Sequence, residues 1–140
     1  RHSSSAASDV YKRQQIEFNA LELARELNKH PLVDKVYHPA IETSENHHIW
    51  KRDFTGSTGL FSFSLKKFYP QTKIKKMFSK ISIFKLGYSW GGYDSLITFP
   101  PLSMRKYKNL FKGNLIRVYC GLEDSSDQIK DIISSLKALK

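Results

Sequence analysis

In the stretch LFSFSL, Phe61, Phe63 and Leu65 fall on one side of an extended chain, and Leu60, Ser62 and Ser64 fall on the other. Successive strand side chains point to opposite faces, so this alternation describes a half-buried strand. It commits the chain to a sheet with one strongly apolar face, and such a face is stable only under a second layer. Helices written before and after the strand can supply that layer. Ile16, Ala20, Leu23, Ala24 and Leu27 recur at helical spacing, and the run ends at Asn28-Lys29-His30-Pro31. Ile74, Met77, Phe78 and Ile81 repeat the pattern. Ile129, Ile132, Ile133, Leu136 and Leu139 form the clearest stripe of all, opened by Ser125 and Gln128 in a capping-box arrangement.

The remaining strands are shorter. LVDKVYHPAI predicts one with Val33 and Val36 buried and Pro39 at its end, NLIRVYCG predicts another, and one is expected on either side of GYSWGGYDS. The polar connector ETSENHH leads into a short helical stretch around Ile49, Trp50 and Phe54. Several strands follow one another with no helix between them and the connections are short. The expected fold class is therefore α+β, a small mixed or antiparallel sheet with helices packed on one side.

Composition narrows the function. A 140-residue chain that is 40% hydrophobic has enough apolar material for one ordinary domain with its own core. Its only cysteine, Cys120, excludes an internal disulfide and a cysteine-cluster zinc site and fits a reducing, cytoplasmic setting. No apolar run approaches the ~20 residues that span a bilayer, so no membrane role is expected. A net charge of +10 raises the question of a nucleic-acid partner. The lysines of LKKFYPQTKIKKMFSK, however, are spaced around helical apolar positions, the pattern of a solvated helix face.

Residues 1–14 are polar and patternless, and SSAASDVYKRQ resembles a translated sequencing adaptor. They are set aside as an artefact, and the domain is taken as residues 15–140, a fragment whose partner domain lies upstream. Leaving them out lowers the net charge by two, because Arg1, Lys12 and Arg13 stand against Asp9.

Two features carry chemistry. Period two on LIRVYC places Ile116, Val118 and Cys120 on one face and Leu115, Arg117 and Tyr119 on the other. A mid-strand guanidinium either grips an anion in two-pronged fashion or reaches along an open sheet face to water, and the pattern favours neither. Ser89 lies between Tyr88 and Trp90, with Gly87, Gly91 and Gly92 around the trio. Three glycines in six residues permit unusual dihedrals and close approach, but a glycine-rich hairpin with its aromatics in the core fits the same letters. A lone serine without a base is no nucleophile, and Gly-x-Ser-x-Gly is absent. His47 and His48 lie in a polar connector and His30 and His38 beside prolines, which reads as loop histidines and no metal site. Cys120, on the apolar face, reads as packing.

Four blocks, HPAI, WKRDFTGSTGLFSF, GYSWGGYDSLI and GNLIRVYCGLED, together resemble in order and spacing the carboxy-terminal domain of the Cys/Met-metabolism branch of fold-type-I pyridoxal phosphate enzymes. The likeness runs from about Ala20 to Lys140. It implies a small α+β unit packed against a large domain that carries the cofactor and its Schiff-base lysine. It implies that Arg117 grips the substrate α-carboxylate, that Ser89 contacts and places the catalytic lysine, and that Tyr88 and Trp90 line the substrate side. SWGG is the β-lyase-like form of a position written SLGG or SLGD in relatives acting at the γ-carbon. Asp94 stands where glutamate is usual, and PPLSMRKYKN matches no family pattern.

The implied activity is cleavage of L-cystathionine to homocysteine, pyruvate and ammonia in methionine biosynthesis, by a cytoplasmic homotetramer using pyridoxal 5'-phosphate. Within the family the alternatives are a cystathionine γ-synthase or γ-lyase, or a cysteine-S-conjugate lyase. Outside it stands a small basic nucleic-acid-binding domain. No lysine here lies in a family-like cofactor motif, so this chain alone is expected to be inactive, with no cofactor-binding residue of its own.

Overall fold

A computed structural model describes residues 2–100 and 110–140, with side chains from residue 6 onward in the first helix. Helix α1 (His2–Asn28) leads to strand β1 (Val33–Tyr37), helix α2 (His47–Asp53) and strand β2 (Leu60–Leu65). Helix α3 (Gln71–Ser79) follows, then strands β3 (Lys85–Leu86), β4 (Leu96–Thr98) and β5 (Leu115–Tyr119), and helix α4 (Ser125–Leu136). A 3-10 turn, Lys137–Leu139, comes last.

The strands form one sheet in the order β1-β2-β5-β4-β3. Every pairing is antiparallel except β3 with β4, which run parallel. This mixed sheet under helices is the expected α+β class. Strand β5 takes the centre because both of its edges are paired, Phe63 opposite Ile116 on one side and Ile97 opposite Val118 on the other. Its position fixes where Arg117 can stand.

One face of the sheet is the core. Phe63, Leu65, Ile116, Val118 and Cys120 are fully buried there, together with Ala20, Leu23, Ala24 and Leu27 of α1 and Ile132 and Leu136 of α4. Each large side chain removed from water contributes roughly 1.5–3 kcal/mol, so this layer supplies most of the fold's stability. Val33 and Val36 both point inward although they are three positions apart, which strict alternation forbids. The register slips between Val33 and Lys35, and this bulge restores the phase.

Helix α1 continues without a break through the stretch set aside above. Residues 6–14 are exposed apart from half-buried Lys12, so none of them enters the core.

Three local expectations need correction. Asp124, not Ser125, caps α4, accepting from the backbone N–H of Ser126 (2.9 Å) and Asp127 (3.3 Å). A carboxylate at the position before Ser125 outcompetes a hydroxyl for the helix's free donors. Ile81 lies beyond α3, which ends at Ser79 with Lys80 as its C-cap. The segments around the glycines do not form a hairpin, because β3 and β4 pair in parallel. The intervening loop must therefore climb over the sheet to return in the same direction.

Candidate functional site

The loop of residues 87–95 passes over Arg117 and Tyr119, and groups of β5 and of the turn after it hold the loop at four backbone points. Arg117 Nη2 donates to the carbonyl of Tyr88 at 2.9 Å, and Tyr119 Oη donates to that of Gly92 at 2.8 Å. Leu122 N–H donates to the carbonyl of Tyr93 at 2.8 Å. Ser95 N–H donates to Glu123 Oε2 at 3.0 Å. Arg117 and Tyr119 are alternate residues of β5, so one face of that strand grips the loop twice.

Two glycines are required for this path. Gly91 has φ of +92°, where a side chain is strained. At Gly121 a Cβ would lie 2.0 Å from the carbonyl oxygen of Tyr93, which no backbone tolerates without moving.

Tyr88 is 67% and Trp90 64% exposed, and Ser89 is exposed between them. The aromatics are thus not core, and the hairpin reading fails on burial as well as on strand direction. Arg117 is half-buried, and besides its bond to Tyr88 its guanidinium makes no hydrogen bond among the described residues. The sheet face around it is not open, since its neighbours Leu115 and Tyr119 are buried. Arg117 therefore meets the loop backbone at Tyr88, the residue before Ser89. Trp90 turns instead to a groove of about 420 Å³ that it shares with Ile16, Thr58, Gly59 and Tyr119. Asp94 faces away, 3.6 Å from the ammonium of Lys85, with both side chains well exposed.

His38 departs from expectation. It is 1% exposed, its Nδ1 accepts from the N–H of Ala40 (3.2 Å), and its ring packs on Phe61. Burial, aided by the charge of Arg25, lowers its pKa to about 4. It lies in the turn after β1, beside Pro39, as expected, but as a buried neutral residue packed on the core. His47 departs from expectation too, opening helix α2 with its ring stacked on Trp50. Cys120 packs as expected, its thiol pushed well up by burial. Among the described residues no group of three histidine, cysteine or acidic side chains is placed to hold a metal, and no helix is long and apolar enough to cross a membrane.

Sequence reasoning missed the polar group beneath the loop. Ser95, Gln128 and Asn19 are all fully buried. Asn19 Nδ2 donates to the carbonyls of Gly121 and Glu123, each at 2.9 Å, and joins α1 to the turn before α4. Gln128, read as a capping-box partner, turns inward to Ser95 and Glu123. Asp131 accepts from the backbone N–H of Ser82, Ile83 and Phe84, which anchors the chain entering β3. One signal was available, since Asn19 interrupts an apolar stripe between Ile16 and Ala20, and a polar residue there must find partners inside. The segment PPLSMRKYKN lies almost wholly outside the described residues.

Fold and loop together define an α+β domain with a cationic strand residue under a glycine-rich crossing. The model of the Cys/Met metabolism PLP-dependent enzymes matches residues 11–137, and the chain belongs to that family. It is 44% identical over 119 residues to cystathionine beta-lyase MetC of Escherichia coli, covering 81% of this chain and 30% of that protein. It is 38% identical over 125 residues to an L-alanine/L-glutamate racemase of Wolbachia pipientis, with 86% and 30% covered. It is 35% identical over 130 residues to a cystathionine gamma-lyase of Sus scrofa, with 86% and 31% covered. The chain spans about a third of the length of these relatives.

The family works with pyridoxal phosphate. The residues at hand fit a carboxylate near Arg117 but not a covalent seat for that cofactor. Every described lysine is exposed except half-buried Lys12, and none is buried beside Arg117 and Ser89.

Proposed function

We propose that this chain is the substrate-facing domain of a pyridoxal-phosphate-dependent carbon–sulfur β-lyase, which cleaves L-cystathionine to homocysteine, pyruvate and ammonia. The observation that carries the reading is the 2.9 Å bond from Arg117 to the carbonyl of Tyr88, because it sets the guanidinium and the Ser89 loop on one face. Arg117 keeps donors for a second, two-pronged partner, and an α-carboxylate matches that fork. Held there, the substrate presents its Cα–H bond in a fixed direction, an orientation effect of several kcal/mol, at about the lower end of intramolecular catalysis. The Ser89 hydroxyl, exposed beside the clamp, is the group that places the amine of a lysine from the rest of the enzyme. Tyr88 and Trp90 line the substrate side. The cofactor, when bound, supplies the electron sink.

Trp90 at the loop's tip favours the β-lyase over the γ-cleaving members, and the 44% identity to a β-lyase against 35% to a γ-lyase runs the same way. Product analysis separates them, since β-cleavage of cystathionine releases pyruvate and γ-cleavage 2-oxobutyrate. The whole enzyme is proposed as a cytoplasmic homotetramer in methionine biosynthesis, formed with an amino-terminal cofactor domain. A nucleic-acid role would use the lysines and leave Arg117 and the loop without purpose.

Arg117→Lys tests the reading in the enzyme completed by its upstream sequence. One ammonium cannot replace the fork, so kcat/KM for cystathionine should fall by about 100-fold, equivalent to about 3 kcal/mol. Unchanged kcat/KM would remove Arg117 from the site.

A further inference from the structure

The buried polar group under the loop does more than satisfy itself. Ser95 Oγ donates to Glu123 Oε1 at 2.5 Å and accepts from the N–H of Gly121 at 2.8 Å and from Gln128 Nε2 at 3.2 Å. One hydroxyl thus uses its single proton and both lone pairs. Glu123 receives Ser95 on both carboxylate oxygens, Oγ–H on Oε1 and N–H on Oε2 at 3.0 Å, and Gln128 Nε2 also reaches Oε1 at 3.1 Å. Glu123 is therefore an acceptor on both oxygens, with no role left for a proton.

The placement of this knot is as telling as its bonds. Ser95 ends the loop that carries Tyr88, Ser89 and Trp90, and it opens directly into β4. Glu123 lies in the turn between β5, which carries Arg117, and α4. Leu122, between Gly121 and Glu123, holds the loop's Tyr93 carbonyl. A single carboxylate thus ties the root of the loop to the strand whose arginine bonds its other end. The remainder of the loop has little packing of its own, since Tyr88, Trp90 and Tyr93 are each more than half exposed.

We propose that Glu123, acting through Ser95 and Gln128, is a positioning residue that sets the pose of the 87–95 loop relative to Arg117. That role in catalysis rests on the site reading above, but the pose itself is measurable without catalysis. The substitution Glu123→Gln is nearly isosteric and turns one acceptor into a donor. Whichever way the new amide faces, its NH2 meets a donor, either the Ser95 N–H or the side chains of Ser95 and Gln128. Neutralising the charge also removes the charge-assisted strength of all three bonds. Ser95→Ala deletes the hydroxyl with little change of volume and should act in the same direction.

The chain carries its own control. Trp90 sits on the loop and Trp50 in α2, where its indole Nε1–H donates to the carbonyl of Gly56 at 3.1 Å. The test is the indole N–H resonances of both tryptophans by NMR, with hydrogen exchange of the Ser95 and Leu122 amides, in the 140-residue chain and both variants. The expected result is a shifted or broadened Trp90 signal, an unmoved Trp50 signal, and exchange at Ser95 and Leu122 faster by roughly tenfold. An unmoved Trp90 in both variants overturns the proposal. So does equal movement of Trp50 and Trp90, or collapse of both variants, since the group would then hold the whole fold and not the loop. Either failure leaves the Arg117 clamp standing, whereas an inert Arg117→Lys leaves the latch standing without its catalytic meaning.

Discussion

The two faces of the sheet are held by different physics. On the helix side, Phe63, Leu23, Leu27, Ile132 and Leu136 are completely buried in one cluster, so many weak contacts share the work and none dominates. On the loop side, aromatic surface stands in water and a nine-residue crossing is fixed by single directional bonds at Tyr88, Gly92, Tyr93 and Ser95. The first arrangement stabilises the domain and the second aims a few groups. A residue's importance to the fold and its importance to the site should therefore separate almost completely.

The largest effect should come from the core. Phe63→Ala removes a fully buried ring from the strand beside β5 and should cost about 3–5 kcal/mol in denaturant unfolding. A loss below about 1 kcal/mol would mean that the helix face is not the source of stability. Next comes a strongly shifted histidine packed on that core. His38 binds its proton near pH 4 in the folded chain and near 6.5 in the unfolded one, so between those values the unfolded state holds more protons. Stability should fall as pH drops from about 6.5 to 4 and then level off, by up to about 3 kcal/mol. His38→Gln flattening nothing in that window would contradict the burial argument.

Gly121→Ala probes the border between the two regimes. Its Cβ meets the Tyr93 carbonyl, so the loop's root must move, at about 1–3 kcal/mol in thermal unfolding. A wild-type Tm would show that the approach is looser than 2.0 Å. The smallest effect is expected where function is placed. Trp90→Ala should change stability by no more than about 0.5 kcal/mol, because the ring is 64% exposed. A cost above about 2 kcal/mol in urea would erase the contrast between the faces.

Glu123 stands at the border too. Burial alone would raise its pKa, but the hydrogen bonds from Ser95, from its own backbone and from Gln128 together hold it below the ordinary range. It is thus ionised, and an acceptor on both oxygens, at neutral pH.

Much of the helix face was legible from single letters. Ile16, Ala20, Leu23, Ala24 and Leu27 are all buried, as the helical spacing required, and Phe61, Phe63 and Leu65 share the inner face that strict alternation assigned them. The site was legible only in part. Period two put Arg117 and Tyr119 on the same outer face without deciding whether that face is open, whereas the loop bonds to both residues and Tyr119 is buried. Ser89 was singled out by its glycines, yet Glu123 and Ser95 were not and Gln128 was read only as a helix cap, because nothing in their spacing relates position 95 to positions 123 and 128.

What the sequence determined by itself was the set of local choices. An apolar stripe turns one side of a helix inward, and alternation turns one side of a strand inward, because both periods are fixed by backbone geometry over a few neighbouring residues. The tertiary structure alone decided that β3 and β4 run parallel, that β5 is central, and that a carboxylate and a guanidinium from one segment hold the two ends of a distant loop. Such bonds join residues 28 and 29 positions apart, and a hydrogen bond depends on distance and direction in space, neither of which a local pattern encodes.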